Sequence, residues 1–236
     1  MTRRVVAPPL NRQVRVESPS IEAMATAPTS GIVALQGGGP FSANDDLDRS
    51  LLSEVGADQV VVLPTADAFE TPGDLVEAAQ HWAERLGVVS QPVMVMTRSD
   101  ALEERFSEMI SGARAVYLVG DSPIHLRSVL TDTPVWEAIC AVVANGGLVV
   151  GVGGSAAALC DPMTDPRGGA FTIGLGLVSG MAAATETETW TEERLHRTRE
   201  LADVTVVELP TGSAAVRRPT GWELSGDAAA HGDLPG

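Results

Sequence analysis

Gly147-Leu-Val-Val-Gly-Val-Gly-Gly-Ser-Ala-Ala-Ala-Leu159 is the stretch on which the reading of this chain turns. Leu148, Val149, Val150 and Val152 are apolar and mostly β-branched, as a buried parallel strand requires. Gly153 and Gly154 then permit a tight turn, Ser155 follows, and Ala156 to Leu159 are helix formers. A strand, a glycine turn, a serine and a helix form the geometry of a nucleophile elbow, which lifts a hydroxyl clear of the backbone at the positive end of a helix. The usual pattern is Gly-x-Ser-x-Gly; here Ala157 stands at the last position. The same residues also describe a serine that merely caps a helix, and both readings stay open at this point.

Outward from the elbow, the chain alternates strand and helix signals from Gly31 onward. Strands are predicted at Ile32–Leu35, Gln59–Leu63, Pro92–Met96, Ala115–Val119 and Leu148–Val152. Between them, helices are predicted at Asp45–Val55, Asp74–Leu86, from a cap at Ser99 through Ile110, at Ile124–Leu130 and at Pro134–Ala144. This alternation predicts an α/β fold: a doubly wound, mostly parallel sheet with helices on both faces. Right-handed crossovers bring every strand-to-helix loop to one edge of such a sheet. The Gly37, Thr65 and Asp121 loops should therefore converge on Ser155. After Asp161 come a short strand at Met181–Ala184, a helix over Trp190–Leu201, and a C-terminal β meander of short strands at Val204–Leu209, Ser213–Val216 and Gly221–Leu224. Residues 1–30, rich in Arg and Pro with no signal-peptide pattern, read as a disordered N-terminal arm. Residues 31–226 read as a single domain and 227–236 as a frayed tail.

Composition narrows the function. The 236 residues carry a net charge of −15, which opposes nucleic acid or an anionic membrane as partner. No apolar run reaches the ~20 residues of a membrane span. All sixteen basic residues are arginine, so Schiff-base chemistry and a Ser–Lys dyad are excluded. Cys140 and Cys160 lie in predicted helices as buried fillers, consistent with a reducing, cytoplasmic setting. No metal-ligand spacing and no phosphate loop is present, and no cofactor is called for.

The order of motifs resembles the serine peptidase family of cyanophycinase and aspartyl dipeptidase (peptidase E), which has a class I glutamine amidotransferase-like fold. The resemblance runs from about Gly31 to Gly226. It is carried by Val61-Val-Leu-Pro-Thr-Ala66, by Val116-Tyr-Leu-Val-Gly-Asp121, by Thr133-Pro-Val-Trp-Glu-Ala138 leading to the elbow, by Gly153-Gly-Ser-Ala-Ala-Ala158, and by Gly174-Leu-Gly-Leu177. The resemblance implies serine-type acyl transfer with Ser155 as nucleophile. Backbone amides of Gly120 or Asp121 and of Ala156 would form the oxyanion hole. Gly38 and Arg127 would border the binding site, with a small peptide or acidic small molecule as ligand, and a homodimer is left open.

The departures are as informative. Glu186 occupies the place of the family's catalytic histidine, and Thr211 the place of its acidic partner. A serine without a base is a poor nucleophile, and a carboxylate serves as a base only if burial raises its pKa. Among the histidines, His81, His196 and His231 read as surface residues; His125, one turn after Asp121, is the alternative base. Two functions follow: a catalytically degenerate homologue that binds or regulates, or an active serine peptidase on Asp-containing peptides with a non-standard base. Amidotransferase-like chemistry ranks last, because it needs cysteine where Ser155 stands.

Overall fold

The computed structural model describes residues 31–236, so the expected N-terminal arm lies outside the described residues. The first part of the chain runs β1 (Ile32–Gln36), α1 (Asp45–Val55), β2 (Gln59–Leu63), α2 (Pro72–Leu86), β3 (Val89–Pro92), α3 (Arg98–Ala101), α4 (Glu104–Ile110), β4 (Ala115–Val119), α5 (Pro123–Leu130), α6 (Pro134–Ala144), β5 (Leu148–Val152) and α7 (Gly154–Leu159). Four two-residue strands follow, β6 (Cys160–Asp161), β7 (Met163–Thr164), β8 (Phe171–Thr172) and β9 (Val178–Ser179). The chain ends with β10 (Met181–Thr185), α8 (Glu192–Leu201), β11 (Thr205–Leu209), β12 (Ala214–Arg218), β13 (Gly221–Ser225) and β14 (Ala229–His231).

The central sheet has seven strands in the order β13-β12-β1-β5-β4-β2-β3. β1 to β5 are mutually parallel, and the β12–β13 hairpin adds antiparallel to β1. Alternate residues of each strand supply two apolar layers. Val33, Leu35, Val61, Leu63, Val116, Leu118 and Val149 pack toward α5, α6 and α7, while Ala34, Val60, Val62, Tyr117, Val150 and Val152 pack toward α1 and α2. Continuous burial on both faces explains why these strands read as unbroken apolar runs. The α1 and α2 helices end where Gly56 and Gly87 adopt positive φ, and Thr133 accepts the Trp136 amide to start α6.

Three boundaries differ from the sequence reading. The third strand was expected at Pro92–Met96, but the ladder with β2 runs over Val89–Pro92 and closes with the Val93 N–H on the Val62 carbonyl (2.9 Å); Pro92 is tolerated because its missing N–H falls on the free side of this edge strand. Val93 and Val95 remain fully buried beyond it, and their alternation supplied the strand signal. The helix expected from Ser99 to Ile110 is two helices. Thr97, not Ser99, is the cap, and Asp100 closes a capping box with it. The C-terminal strands divide between two sheets: β12 and β13 join the central sheet, whereas β11 lies between β10 and β14. The tail expected to fray thus contributes a strand, because Ala230 pairs opposite Val207, and Ala230 and Leu234 pack on the core. Among the described residues no helix is long and apolar enough to cross a membrane.

Beneath the α1 face lies a polar group that the sequence reading did not anticipate. Asp48 is 2% exposed, and its carboxylate accepts from Gln36 Nε2 (2.7 Å), Tyr117 Oη (2.9 Å) and Trp82 Nε1 (3.2 Å). Burial outweighs these bonds and raises its pKa to about 6.

Candidate functional site

Parallel pairing brings the ends of β1, β4 and β5 to one edge, and the elbow stands there. Gly153 takes φ 63° and ψ −132°, a region open in practice only to glycine, and turns the chain from β5 into α7. Ser155 therefore lies inside α7 and is not its cap, which resolves the two sequence readings in favour of the elbow geometry. The hydroxyl, however, is not displayed. Ser155 is fully buried, and its Oγ donates to the Gly120 carbonyl at 3.3 Å, which also accepts the Ser155 amide at 3.0 Å.

The neighbouring amides are occupied as well. The Asp121 N–H donates to Asp67 Oδ1 (2.9 Å), and the Ala156 N–H to the Gly153 carbonyl (3.0 Å). Asp121 in turn takes a hydrogen bond from the Gly154 amide. Two of the amides expected to line an oxyanion hole thus already have acceptors, which corrects the expectation that they would be free for substrate.

Glu186 reaches the same edge. Its backbone takes a left-handed conformation (φ 52°), and its N–H donates to the Gly37 carbonyl at 3.0 Å. Its side chain lies against Gly38 so closely that a Cβ there would stand 2.7 Å from Glu186 Cγ. Burial raises the Glu186 pKa, and the charges of Asp121 and Glu188 raise it further. Asp121 shifts upward too, first through burial and then through Asp67. Its Oδ1 would be 2.7 Å from a Cβ on Gly153, so the carboxylate leans over the elbow.

Thr211, at the position expected for an acidic partner, binds one instead: its amide donates to Glu188 Oε2 (3.1 Å) and its hydroxyl to Oε1. Two carboxylates, Glu186 and Glu188, thus stand where the resemblance implied a histidine and an acid. Glu208 is engaged elsewhere, with Arg199 (2.7 Å) and His231 (3.3 Å).

None of the four histidines hydrogen-bonds to Ser155, whose hydroxyl donates to the Gly120 carbonyl. His125 Nε2 lies 3.0 Å from the Met96 carbonyl, and its ring stacks edge-on against Phe69 at 4.7 Å, so the proposed alternative base is committed elsewhere. His81 sits between Glu77 and Glu84 on the surface of α2, and His196 is exposed on α8. Arg127 is half-buried on α5 with its Nε enclosed and unpartnered, and nothing places it against the elbow. Both cysteines are free thiols, and burial pushes each up to about 12.

The structure thus gathers Gly38, Gly120, Asp121, Ser155, Ala156 and Glu186 at one sheet edge and leaves His125 and Arg127 apart from it. Sequence reasoning missed Asp67 and Glu188. Their signal was available: acidic residues on the Thr65 loop and beside Glu186, both destined for that edge by topology. The resulting ring of Asp67, Asp121, Glu186 and Glu188 also opposes the acidic ligand expected from the resemblance, since like charges there repel without an arginine to compensate.

No family model matches the chain, and no curated protein matches it. Solved structures do. A peptidase from an acI-B1 Actinobacterium superposes with a TM-score of 0.76 at 24% identity, over 85% of this chain and 89% of that one. A candidate peptidase E protein from Listeria monocytogenes EGD-e superposes with a TM-score of 0.63 at 16% identity, over 85% of this chain and 98% of that one. The chain therefore has the α/β fold of these two peptidase structures, a mostly parallel central sheet with helices on both faces.

Proposed function

We propose that this chain is a catalytically degenerate homologue of the peptidase E-like serine hydrolases, a binding or regulatory protein that keeps the serine of the elbow without the means to activate it. The observation that carries this reading is the enclosed Ser155 hydroxyl, which donates to a backbone carbonyl and not to an imidazole. Loss of a triad base typically lowers the rate by several orders of magnitude, and occupied oxyanion amides lower it further. The ligand in this reading is a small peptide that approaches the carboxylate rim with a group other than an acid.

A fluorophosphonate probe tests the reading directly. Incubation at neutral pH is expected to leave Ser155 unmodified by intact-mass measurement. Stoichiometric labelling of the wild type that disappears in Ser155→Ala would overturn it.

One observation favours the alternative of an active peptidase. The raised pKa of Glu186 makes its carboxylate a better base than an ordinary glutamate. In that case labelling would rise with pH as Glu186 ionises and would vanish in Glu186→Gln.

A further inference from the structure

One peptide group closes the elbow. The peptide between Gly120 and Asp121 is planar, so its C=O and N–H point in opposite directions. The carbonyl takes both donors of Ser155, the amide at 3.0 Å and the hydroxyl at 3.3 Å. The N–H donates to Asp67 Oδ1 at 2.9 Å. An acceptor thus faces the serine, where a site that receives a carbonyl oxygen needs donors.

The backbone allows the reverse orientation. Gly120 has φ 116°, a region in which only glycine moves freely, and a Cβ there would stand 2.5 Å from Asp67 Oδ1. The flanking residues are anchored: Val119 ends β4, and the Ser122 amide donates to the Ala66 carbonyl at 3.2 Å. Between anchored ends a peptide plane turns over through ψ of the first residue and φ of the second, with little shift of either Cα. Asp121 lies outside the left-handed region now and would enter it, which aspartate tolerates better than most residues. Turned over, the plane releases three donors together: the Ser155 N–H, the Ser155 O–H and the Asp121 N–H.

Asp67 decides between the two orientations. An ionised carboxylate only accepts, so it holds the N–H and repels the C=O that would take its place. A charge-assisted bond of this kind biases an equilibrium by roughly ten- to hundredfold. We propose that the Gly120–Asp121 peptide is a two-position switch over Ser155, and that the Asp67 carboxylate latches it closed. The inference rests on Ser155 as the centre of the proposed binding site and adds its regulation. The covered hydroxyl is the latched state, and it opens when a ligand's carbonyl oxygen draws the freed donors away from Asp67.

The test is amide hydrogen exchange, read by NMR on the full isotope-labelled chain and on its Asp67→Asn variant, whose carboxamide can donate to the turned carbonyl as well as accept. Asp67 bonds to the Asp121 amide and not to Ser155, so a bond that merely steadied the loop would alter Asp121 alone. The switch requires the Ser155 amide, now protected by the Gly120 carbonyl, to exchange at least about tenfold faster in the variant, together with the Asp121 amide. The Val149 and Val150 amides of β5 report general loosening and should keep their rates. Asp67→Ala, which removes the acceptor outright, carries the same expectation and serves if the first variant does not fold. Unchanged exchange at Ser155, or an acceleration no larger than at Val149 and Val150, would overturn the proposal. The readout involves no chemistry at Ser155, so fluorophosphonate labelling, which would overturn the degenerate reading, does not decide it.

Discussion

Replacing Asp48 with alanine is expected to destabilise the protein by about 3 kcal/mol, and to lower the unfolding midpoint by roughly 6–12 °C. Two effects oppose each other. Removing an ionised carboxylate whose pKa is raised from 3.8 to about 6 relieves a burial penalty of about 3 kcal/mol at neutral pH. The substitution also orphans three buried donors, the Gln36 amide, the Tyr117 hydroxyl and the Trp82 indole. Their combined cost, about 3–9 kcal/mol, exceeds that relief, before any cavity is counted. Phe41, Trp82 and Tyr117 also pack ring on ring around this group, with centroids 5.1–6.5 Å apart, so the disturbance spreads through the α1–α2 layer. Chemical denaturation checks the value, and a loss below about 1 kcal/mol would show that water re-satisfies the three donors.

The same carboxylate sets a pH dependence. Because its folded pKa lies above its unfolded one, the folded chain holds the extra proton between the two. Its contribution is fully present below about pH 4 and is lost as pH rises through about 6. Asp48→Asn carries no proton to lose, so the stability of the wild type relative to this variant should fall by about 2 kcal/mol from pH 4 to pH 7. A difference independent of pH would mean that Asp48 titrates as an ordinary surface carboxylate.

Asp48 also shows where sequence reasoning stops. Its helix was legible from Leu47, Leu51, Leu52 and Val55, and an aspartate in the first turn of a helix reads as a charge near a positive dipole end. Only the docking of α1 over β1 and β4 turns it inward toward Gln36 and Tyr117, and long-range docking leaves no local signal. The five parallel strands were legible because burial on both faces writes a run of Val and Leu. The third was misplaced because Val93 and Val95 are equally buried in extended chain past the proline. At the site, topology alone foretold that the Gly37, Thr65 and Asp121 loops would meet Ser155, whereas Glu186 was placed there only by the family resemblance. Whether the hydroxyl would be open or covered depends on which donors the carbonyl of Gly120 and the carboxylate of Asp67 capture. Those are distances, and no motif encodes them.

The second large effect is expected at the elbow itself. Gly154→Ala should cost about 2–3 kcal/mol, although alanine is the better helix former by about 1 kcal/mol and Gly154 sits in α7. The reason is close approach. A Cβ there would lie 2.7 Å from both the carbonyl carbon and oxygen of Asp121 and 2.9 Å from its Cα, and all three are backbone atoms that cannot rotate away. The Asp121 loop would have to move as a unit. It is tied to Asp67 through the Asp121 amide and to Ala66 through the Ser122 amide, so the movement strains more than one bond. It would also carry the Gly120 carbonyl away from Ser155 and release the hydroxyl that it now holds. The variant is thus expected to combine lower stability with a Ser155 more accessible to the fluorophosphonate probe, yet still unlabelled at neutral pH, because accessibility supplies no base. At the C-terminal end of α2, Gly87 meets nothing within 4 Å, so substitution there should show only the cost of its left-handed backbone, about 1 kcal/mol. Equal losses at Gly154 and Gly87 would show that the Asp121 loop yields freely and that the closed elbow is not held by packing.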